Sequence, residues 1–292
     1  MNTHAGPAYY VPHGSHWPIV GSVGLTTLLV GFAVLLNGAD LGGTLMVAGV
    51  VITLGMMAGW FGTVIRESEG GRYNAQVDRS FRMGMGWFIF SEVMFFAAFF
   101  GALFYAREFA VPWLGGAGAK AATHSVLWPD FQALWPLLQP PDASRYDVPE
   151  QVIGAWGIPA LNTLILLSSG ATITWAHWGL KQGRRRQLTL GLALTVALGV
   201  LFLALQAFEY GHAYHELNLK LSSGIYGSTF FMLTGFHGAH VTIGAIMLLV
   251  MLLRSLRGHF SPTHHFAFEA ASWYWHFVDV VWLGLFITVY WL

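Results

Sequence analysis

The sequence predicts an all-α membrane protein, a bundle of seven transmembrane helices, on three observations. Only 10% of its 292 residues are charged while 55% are hydrophobic, where a soluble domain carries about a quarter charged residues. The mean hydropathy is +0.56. The charges avoid seven apolar stretches, residues 17–37, 44–65, 84–106, 153–178, 188–210, 225–253 and 271–292, within which only Glu92, Glu209 and Asp279 are charged. Each stretch reaches the ~20 residues needed to cross a hydrocarbon core about 30 Å thick. Together they organise residues 1–292 as a single integral membrane domain.

The first span follows a segment, Met1–His16, that contains neither Lys nor Arg, and no small-residue cleavage pattern follows it; this argues against a signal peptide. Gly55 and Gly59 on the second span, and Gly84 and Gly86 opening the third, have the spacing of close helix approach. The third span carries Glu92. Residues 107–152 then form a long insertion, Gly-rich at first (Gly115, Gly116, Gly118) and later marked by Trp128-Pro129 and Trp135-Pro136. Trp beside Pro suits a segment lying on the membrane surface or against a partner, not a separate domain. Short connections join the remaining spans. Trp273, Tyr274 and Trp275 open the seventh and Tyr290 and Trp291 close it, in the manner of interface anchors.

Positive residues mark the cytoplasmic side. Arg66, Arg72, Arg79 and Arg82 lie between spans two and three; Lys181, Arg184, Arg185 and Arg186 between four and five; Arg254 and Arg257 between six and seven. These are ten of the 14 basic residues. The amino terminus is therefore expected in the cytoplasm, and the carboxy terminus and the 107–152 insertion on the outer face.

Composition excludes several functions. Without cysteine there are no thiolate metal sites, iron–sulfur clusters, disulfides or thiol catalysis. Zero net charge and the lack of a basic face speak against nucleic-acid binding. No Gly-Lys-Ser/Thr phosphate cradle and no Gly-x-Ser-x-Gly elbow are present, and no catalytic residue is assigned.

Polar residues inside the spans carry the remaining information. Counted from Met83, Glu92 lies about 14 Å deep, where a carboxylate costs several kcal/mol unless protonated, paired or hydrated. It reads either as a proton-exchanging or lipid-contacting acid or as a neutral acid hydrogen-bonded within the bundle. His276 precedes Asp279 by three positions on one helical face, a spacing that suits a neutralising acid–imidazole pair. Glu209, at the outer end of the fifth span, is within reach of headgroups. His212/His215 and His237/His240 are also spaced i, i+3, compatible with metal ligation, but no third and fourth ligands accompany them. His237 and His240 read as hydrogen-bonding groups in a tight helix contact and no metal is assigned. His264 and His265 read as solvated or headgroup-facing.

Four stretches resemble subunit III of the haem–copper cytochrome c oxidases. They are Ser91-Glu92-Val93-Met94-Phe95-Phe96; Leu161-Asn162-Thr163 with Ser168-Ser169-Gly170 and Thr174-Trp175-Ala176-His177; Tyr226-Gly227-Ser228-Thr229-Phe230-Phe231 with Thr234-Gly235-Phe236-His237-Gly238-Ala239-His240; and Phe268-Glu269-Ala270-Ala271-Ser272-Trp273-Tyr274-Trp275-His276-Phe277-Val278-Asp279 running on to Leu283. The resemblance implies a subunit without redox cofactors, in which two helices splay from the other five around a V-shaped cleft holding phospholipid. It implies docking on the catalytic subunit I, which carries haems and copper, with subunit II in the same proton-pumping complex. Cytochrome c would feed electrons to the complex, not to this chain. The implied role is to sustain proton uptake and protect the active centre from inactivation, in the inner (plasma) membrane of a bacterium with the carboxy terminus in the periplasm. Glu92 matches the family's carbodiimide-reactive carboxylate. Trp60, Arg66, Glu67, His240 and Arg254 match positions around the lipid cleft, while His237, His276 and Asp279 are left as structural polar groups.

Two departures stand out: Gly70-Gly71-Arg72-Tyr73-Asn74-Ala75-Gln76 replaces a His-His pair found in many members, and the 107–152 insertion exceeds that of minimal ones. The seven spans favour the cytochrome c branch over related quinol oxidases, which commonly lack the first two. A transporter using Glu92 would need broken helices, and an intrinsic haem protein would need ligands on facing helices.

Overall fold

The computed structural model describes residues 14–292; the first thirteen residues, which carry most of the signal-peptide reading and include the amino terminus itself, lie outside them. Among the described residues, seven helices are long and apolar enough to cross a membrane. They are α1 (Trp17–Leu36), α2 (Leu41–Glu69), α3 (Ala75–Tyr105), α4 (Ile158–Lys181), α5 (Arg185–His215), α6 (Gly224–Arg257) and α7 (Phe266–Leu285). α3 continues through a π-helical turn, Ala106–Ala110, to Leu114, and α7 through another, Phe286–Trp291. The chain forms two compact units, one ending at Phe81 and the other running from Arg82 to Leu292.

Helix limits differ from the apolar stretches in a consistent way. α3 begins at Ala75 rather than 84, α5 at Arg185 rather than 188, and α7 at Phe266 rather than 271, while α2 runs on to Glu69 and α6 to Arg257. Charge marks where the hydrocarbon ends, whereas the backbone continues as helix until a cap or a turn residue stops it. Gly258 stops α6: its left-handed φ of 80° lets its own N–H reach Ser255 O (3.0 Å) and that of His259 reach Arg254 O (3.1 Å), the Schellman arrangement that suits glycine. α4 starts later than the hydropathy suggests, with Pro159 in its first turn, where the missing N–H has no partner to lose.

In the first unit α1 and α2 form an antiparallel hairpin along a glycine seam. Gly24 and Gly31 on α1, and Gly42 and Gly49 on α2, each recur after seven residues, so each pair lies on one face. A Cβ at Gly31 would meet Met46 N at 2.5 Å, and Cβ atoms at Gly42 and Gly49 would collide with the backbones of Leu35 and Leu28. Gly59 accommodates the ring of Trp17, whose indole N–H donates to Thr63 Oγ1 (3.2 Å). At the expected close-approach positions Gly55, Gly84 and Gly86 a Cβ would have nothing within 4 Å among the described residues.

The second unit is organised around α7. Trp275 and Trp282 are fully buried; the indole of Trp275 donates to Ser169 Oγ on α4 (2.8 Å) and that of Trp282 to Thr163 Oγ1 (2.9 Å). Gly199 on α5 and Gly244 on α6 leave the space that the Trp275 ring fills. Tyr274 and Trp275 are therefore core residues and not interface anchors: α7 begins five residues before its apolar stretch, which places them more than two turns into the helix. At the other end Tyr290 is buried and donates to Glu209 Oε1 (2.7 Å), as does Gln206 Nε2 (2.9 Å). Glu209, only 1% exposed, points into the bundle rather than to headgroups.

The 107–152 insertion contains the helix Ala121–Leu127 and then folds back on the α5–α6 connection. Glu150 N–H donates to Leu217 O (3.0 Å), Asn218 Nδ2 to Val148 O (2.9 Å), and Ser222 Oγ to the Asp147 carboxylate. Trp135 meets Tyr226 edge to face at 5.9 Å.

Two expectations follow. Gly49→Val should destabilise the α1–α2 hairpin by ~1–3 kcal/mol through overpacking, seen as faster proteolysis between Asn37 and Asp40, whereas Gly55→Ala should change it little. Tyr290→Phe removes a donor from a buried carboxyl and should cost ~1–3 kcal/mol, measured by thermal denaturation in detergent.

Candidate functional site

α3 approaches α6 and α7 through a layer of rings. Phe95 and Phe99 each meet Phe236 at 5.1 Å, Phe96 meets Phe277 at 6.0 Å, and Phe88 stacks on Tyr274 at 6.1 Å. Within this layer His240 Nε2 lies 2.9 Å from Glu92 Oε2, and the imidazole is flanked by Phe96 (4.9 Å) and Phe95 (5.7 Å). The other ring nitrogen, Nδ1, is 2.6 Å from Phe236 O. A carbonyl can only accept, so Nδ1 carries a proton. The contact between Nε2 and Oε2 then requires one more, on the carboxyl or on the ring. The pair is thus neutral in sum and shares one proton across the gap between α3 and α6. The Glu92 side chain is 20% exposed.

A second cluster lies where α3, α4 and α7 begin or end. Glu269 receives the guanidinium of Arg82 on Oε2, while Oε1 lies 3.5 Å from His177 Nε2 and 3.4 Å from His265 Nε2. His265 Nδ1 lies 3.0 Å from Ser261 O. His265, expected to face solvent or headgroups, is instead a half-buried partner of Glu269, because it directly precedes α7 and its i+4 residue turns inward. Ligand atoms of His177, His265 and Glu269 lie within 4.8 Å of one another, a set compact enough for a cation; Arg82 already brings a positive charge to the same carboxylate. Neither Arg82, His177 nor Glu269 was singled out from the sequence. The His265-x3-Glu269 spacing was the available signal.

The remaining positions are distributed as follows. His237 is buried with Nε2 3.2 Å from Val278 O, between the rings of Trp282 (5.1 Å) and Phe202 (5.7 Å). Although His237 and His240 share a helix, their ring nitrogens engage different partners and do not converge. His212 Nδ1 lies 2.9 Å from Glu216, again without a common ligand point with His215. Neither pair brings its ring nitrogens to a common point. His276 Nδ1 is 3.7 Å from Asp279 Oδ2. In the first unit Trp60 and Arg66 are exposed, Arg66 Nε donating to Gly62 O (3.2 Å), and Glu67 accepts from Tyr73 Oη (2.8 Å). Arg254 is 6% exposed, its guanidinium 4.7 Å above the Phe260 ring.

Comparison with known proteins bears on the whole chain. The family model described as "Cytochrome c oxidase subunit III" matches residues 7–129 and 144–292; the break at 130–143 falls within the insertion. Proteins named "Cytochrome c oxidase subunit 3" are similar over nearly their full lengths. That of Formosania lacustris is 42% identical over 289 residues, 99% of this chain and 98% of its own. That of Hippopotamus amphibius is 41% identical over 292 residues, again 99% and 98%. That of Marchantia polymorpha is 43% identical over 286 residues, 97% and 96%. With seven apolar helices and a family match over nearly its whole length, the chain is an integral membrane protein and belongs to the cytochrome c oxidase subunit III family.

Proposed function

We propose that this chain is the accessory, cofactor-free subunit of a cytochrome c oxidase complex, docked on catalytic subunit I alongside subunit II. Haems and copper on those partners would reduce oxygen to water with electrons from cytochrome c. This chain's own part is to hold a proton near mid-membrane and to keep the catalytic subunit active during turnover. The Glu92–His240 bridge is the observation that carries this reading. Its one shared proton can sit on either partner without creating net charge in the bilayer, and the exposed flank of Glu92 gives that proton a way in and out. With ten basic residues on the connections named above, the positive-inside rule puts the amino terminus in the cytoplasm and the carboxy terminus in the periplasm of a bacterial inner membrane.

Phospholipid binding completes the reading. Arg66 near the end of α2 offers a guanidinium fork to a phosphate, with the exposed Trp60 ring less than two turns earlier and Glu67 held by Tyr73. The other two positions of the set, His240 and Arg254, are engaged with their own chain. Arg254 would have to leave the Phe260 ring to reach a phosphate.

Purification from membranes through a tag on this chain is expected to bring a haem spectrum and the partner subunits with it. A preparation without haem would remove the accessory-subunit reading. In the same complex, Glu92→Gln keeps a donor toward His240 Nε2 and should leave the haem spectrum unchanged, abolish carbodiimide labelling at this position, and shorten the active lifetime during sustained turnover. Glu92→Leu also strips His240 of its partner and should lower thermal stability by ~1–3 kcal/mol. A Glu92→Gln complex that outlasts or equals the parent in turnover would exclude a proton role for the pair.

A further inference from the structure

We infer that the groove between α4 and α7, floored by Asp279, is where a transmembrane helix of another oxidase subunit docks, and that this helix brings a hydroxyl or amide side chain to the Asp279 carboxyl. The groove is an open concavity of about 520 Å³ with Leu167, Gly170 and Thr174 on the α4 side and His276, Asp279 and Val280 on the α7 side. Gly170 creates its depth, since a Cβ there would strike Asp279 Oδ2.

The Asp279 carboxyl is left short of partners by its own chain. Thr174 Oγ1 donates to Gly170 O (2.9 Å), so its oxygen accepts from His276 Nε2 at 3.3 Å. His276 Nδ1 is then the ring atom nearest the carboxyl, at 3.7 Å, beyond hydrogen-bond length. Asp279 Oδ1, also buried, has no hydrogen-bond partner among the described residues. The side chain is only 8% exposed and is among those that line the groove.

Depth selects the occupant. Asp279 lies thirteen residues from Phe266 and twelve from Trp291, the ends of its helical stretch, roughly 18–20 Å from each. Headgroups do not reach that far, and acyl chains carry no hydrogen-bonding group. A polar side chain on a neighbouring transmembrane helix does, and such contacts join helices in a bilayer that supplies no hydrophobic drive of its own. Apolar walls flank the carboxyl, with Val280 67% exposed, as a helix–helix contact requires. This inference rests on membership of an oxidase complex and names the surface through which that membership is expressed.

The chain has no cysteine, which permits a direct test in membranes containing the assembled complex. Single substitutions Leu167→Cys and Val280→Cys, with Phe208→Cys and Ile246→Cys as exposed positions on α5 and α6, are coupled to a photoactivatable maleimide, irradiated, purified through the tag and analysed by mass spectrometry. Cross-links from the two groove positions to a haem-bearing or other oxidase subunit, absent from the two others, are the expected result. Cross-links from the groove to lipid or to a second copy of this chain, in preparations that still contain haem, overturn the inference while the accessory-subunit reading stands. Equal cross-linking from all four positions also overturns it. A tagged parent chain that purifies without haem removes both. As a second measure, Asp279→Leu should lower the haem recovered per tagged chain roughly tenfold and Asp279→Asn much less, because the amide still bonds the incoming side chain; equal recovery for the two counts against the inference.

Discussion

The hydrocarbon core gives a buried polar group no water to turn to, so each one on a span must find its partner inside the protein or across an interface. In the second unit this requirement is met by α7. Two of its three indoles, those of Trp275 and Trp282, donate to Ser169 and Thr163 on α4, its Val278 carbonyl faces His237 on α6, and its end brings Tyr290 to Glu209 on α5. Packing and polar satisfaction reinforce each other there. The ring of Trp275 reaches Ser169 because Gly199 and Gly244 yield the volume it occupies, and a buried Trp of this kind contributes several kcal/mol.

The same requirement ranks the buried and half-buried acids. Glu209 has two neutral donors on one oxygen, and Glu269 has a guanidinium and two imidazoles. Glu269 has partners within the chain on both oxygens, while the second oxygen of Glu209, Oε2, is buried without a hydrogen-bond partner among the described residues. Glu92 has one imidazole and an exposed flank, and Asp279 has no donor at hydrogen-bond length among the described residues. Glu269 is thus matched on both oxygens and Glu209 is 1% exposed, whereas Glu92 has an exposed flank and Asp279 lines an open groove without a donor, so dependence on something outside the chain is greatest for the last two. That is why the first two are read as structural, Glu92 as able to exchange a proton, and Asp279 as part of an interface.

Hydropathy was sufficient to locate all seven helices, because the exclusion of charge from a bilayer is a strong one-dimensional constraint. It could not locate their ends, since helix continues past the hydrocarbon, and the errors that followed are of one kind. With α7 started at 271, Tyr274 and Trp275 fell at the interface and His265 in a loop; with its start at Phe266, the first two are core and the third pairs with Glu269. The α1–α2 seam was legible in the seven-residue recurrence of Gly24/Gly31 and Gly42/Gly49, but the eye is drawn to the closer pairs. Glu92 and His240 could each be picked out as unusual. Their contact could not, because residues 148 positions apart meet only through the tertiary packing of α3.

How α3 packs also explains why a glutamate and a histidine, rather than two shorter groups, form the candidate site. Gly84, Gly86 and Gly101 on α3 have nothing within 4 Å of a built Cβ among the described residues, so no glycine draws this helix backbone-close to α6 or α7. Instead the rings of Phe88, Phe95, Phe96 and Phe99 hold it off, and ring centroids 5–6 Å apart set the width of the gap. A hydrogen bond across such a gap needs reach from both sides. Glu92 supplies an extended carboxyl and His240 a ring whose far nitrogen points outward because its near one is tied to Phe236 O. The aromatic layer thus does two things at once: it excludes water from most of the contact, and it keeps the helices far enough apart that the shared proton lies between elements rather than inside one.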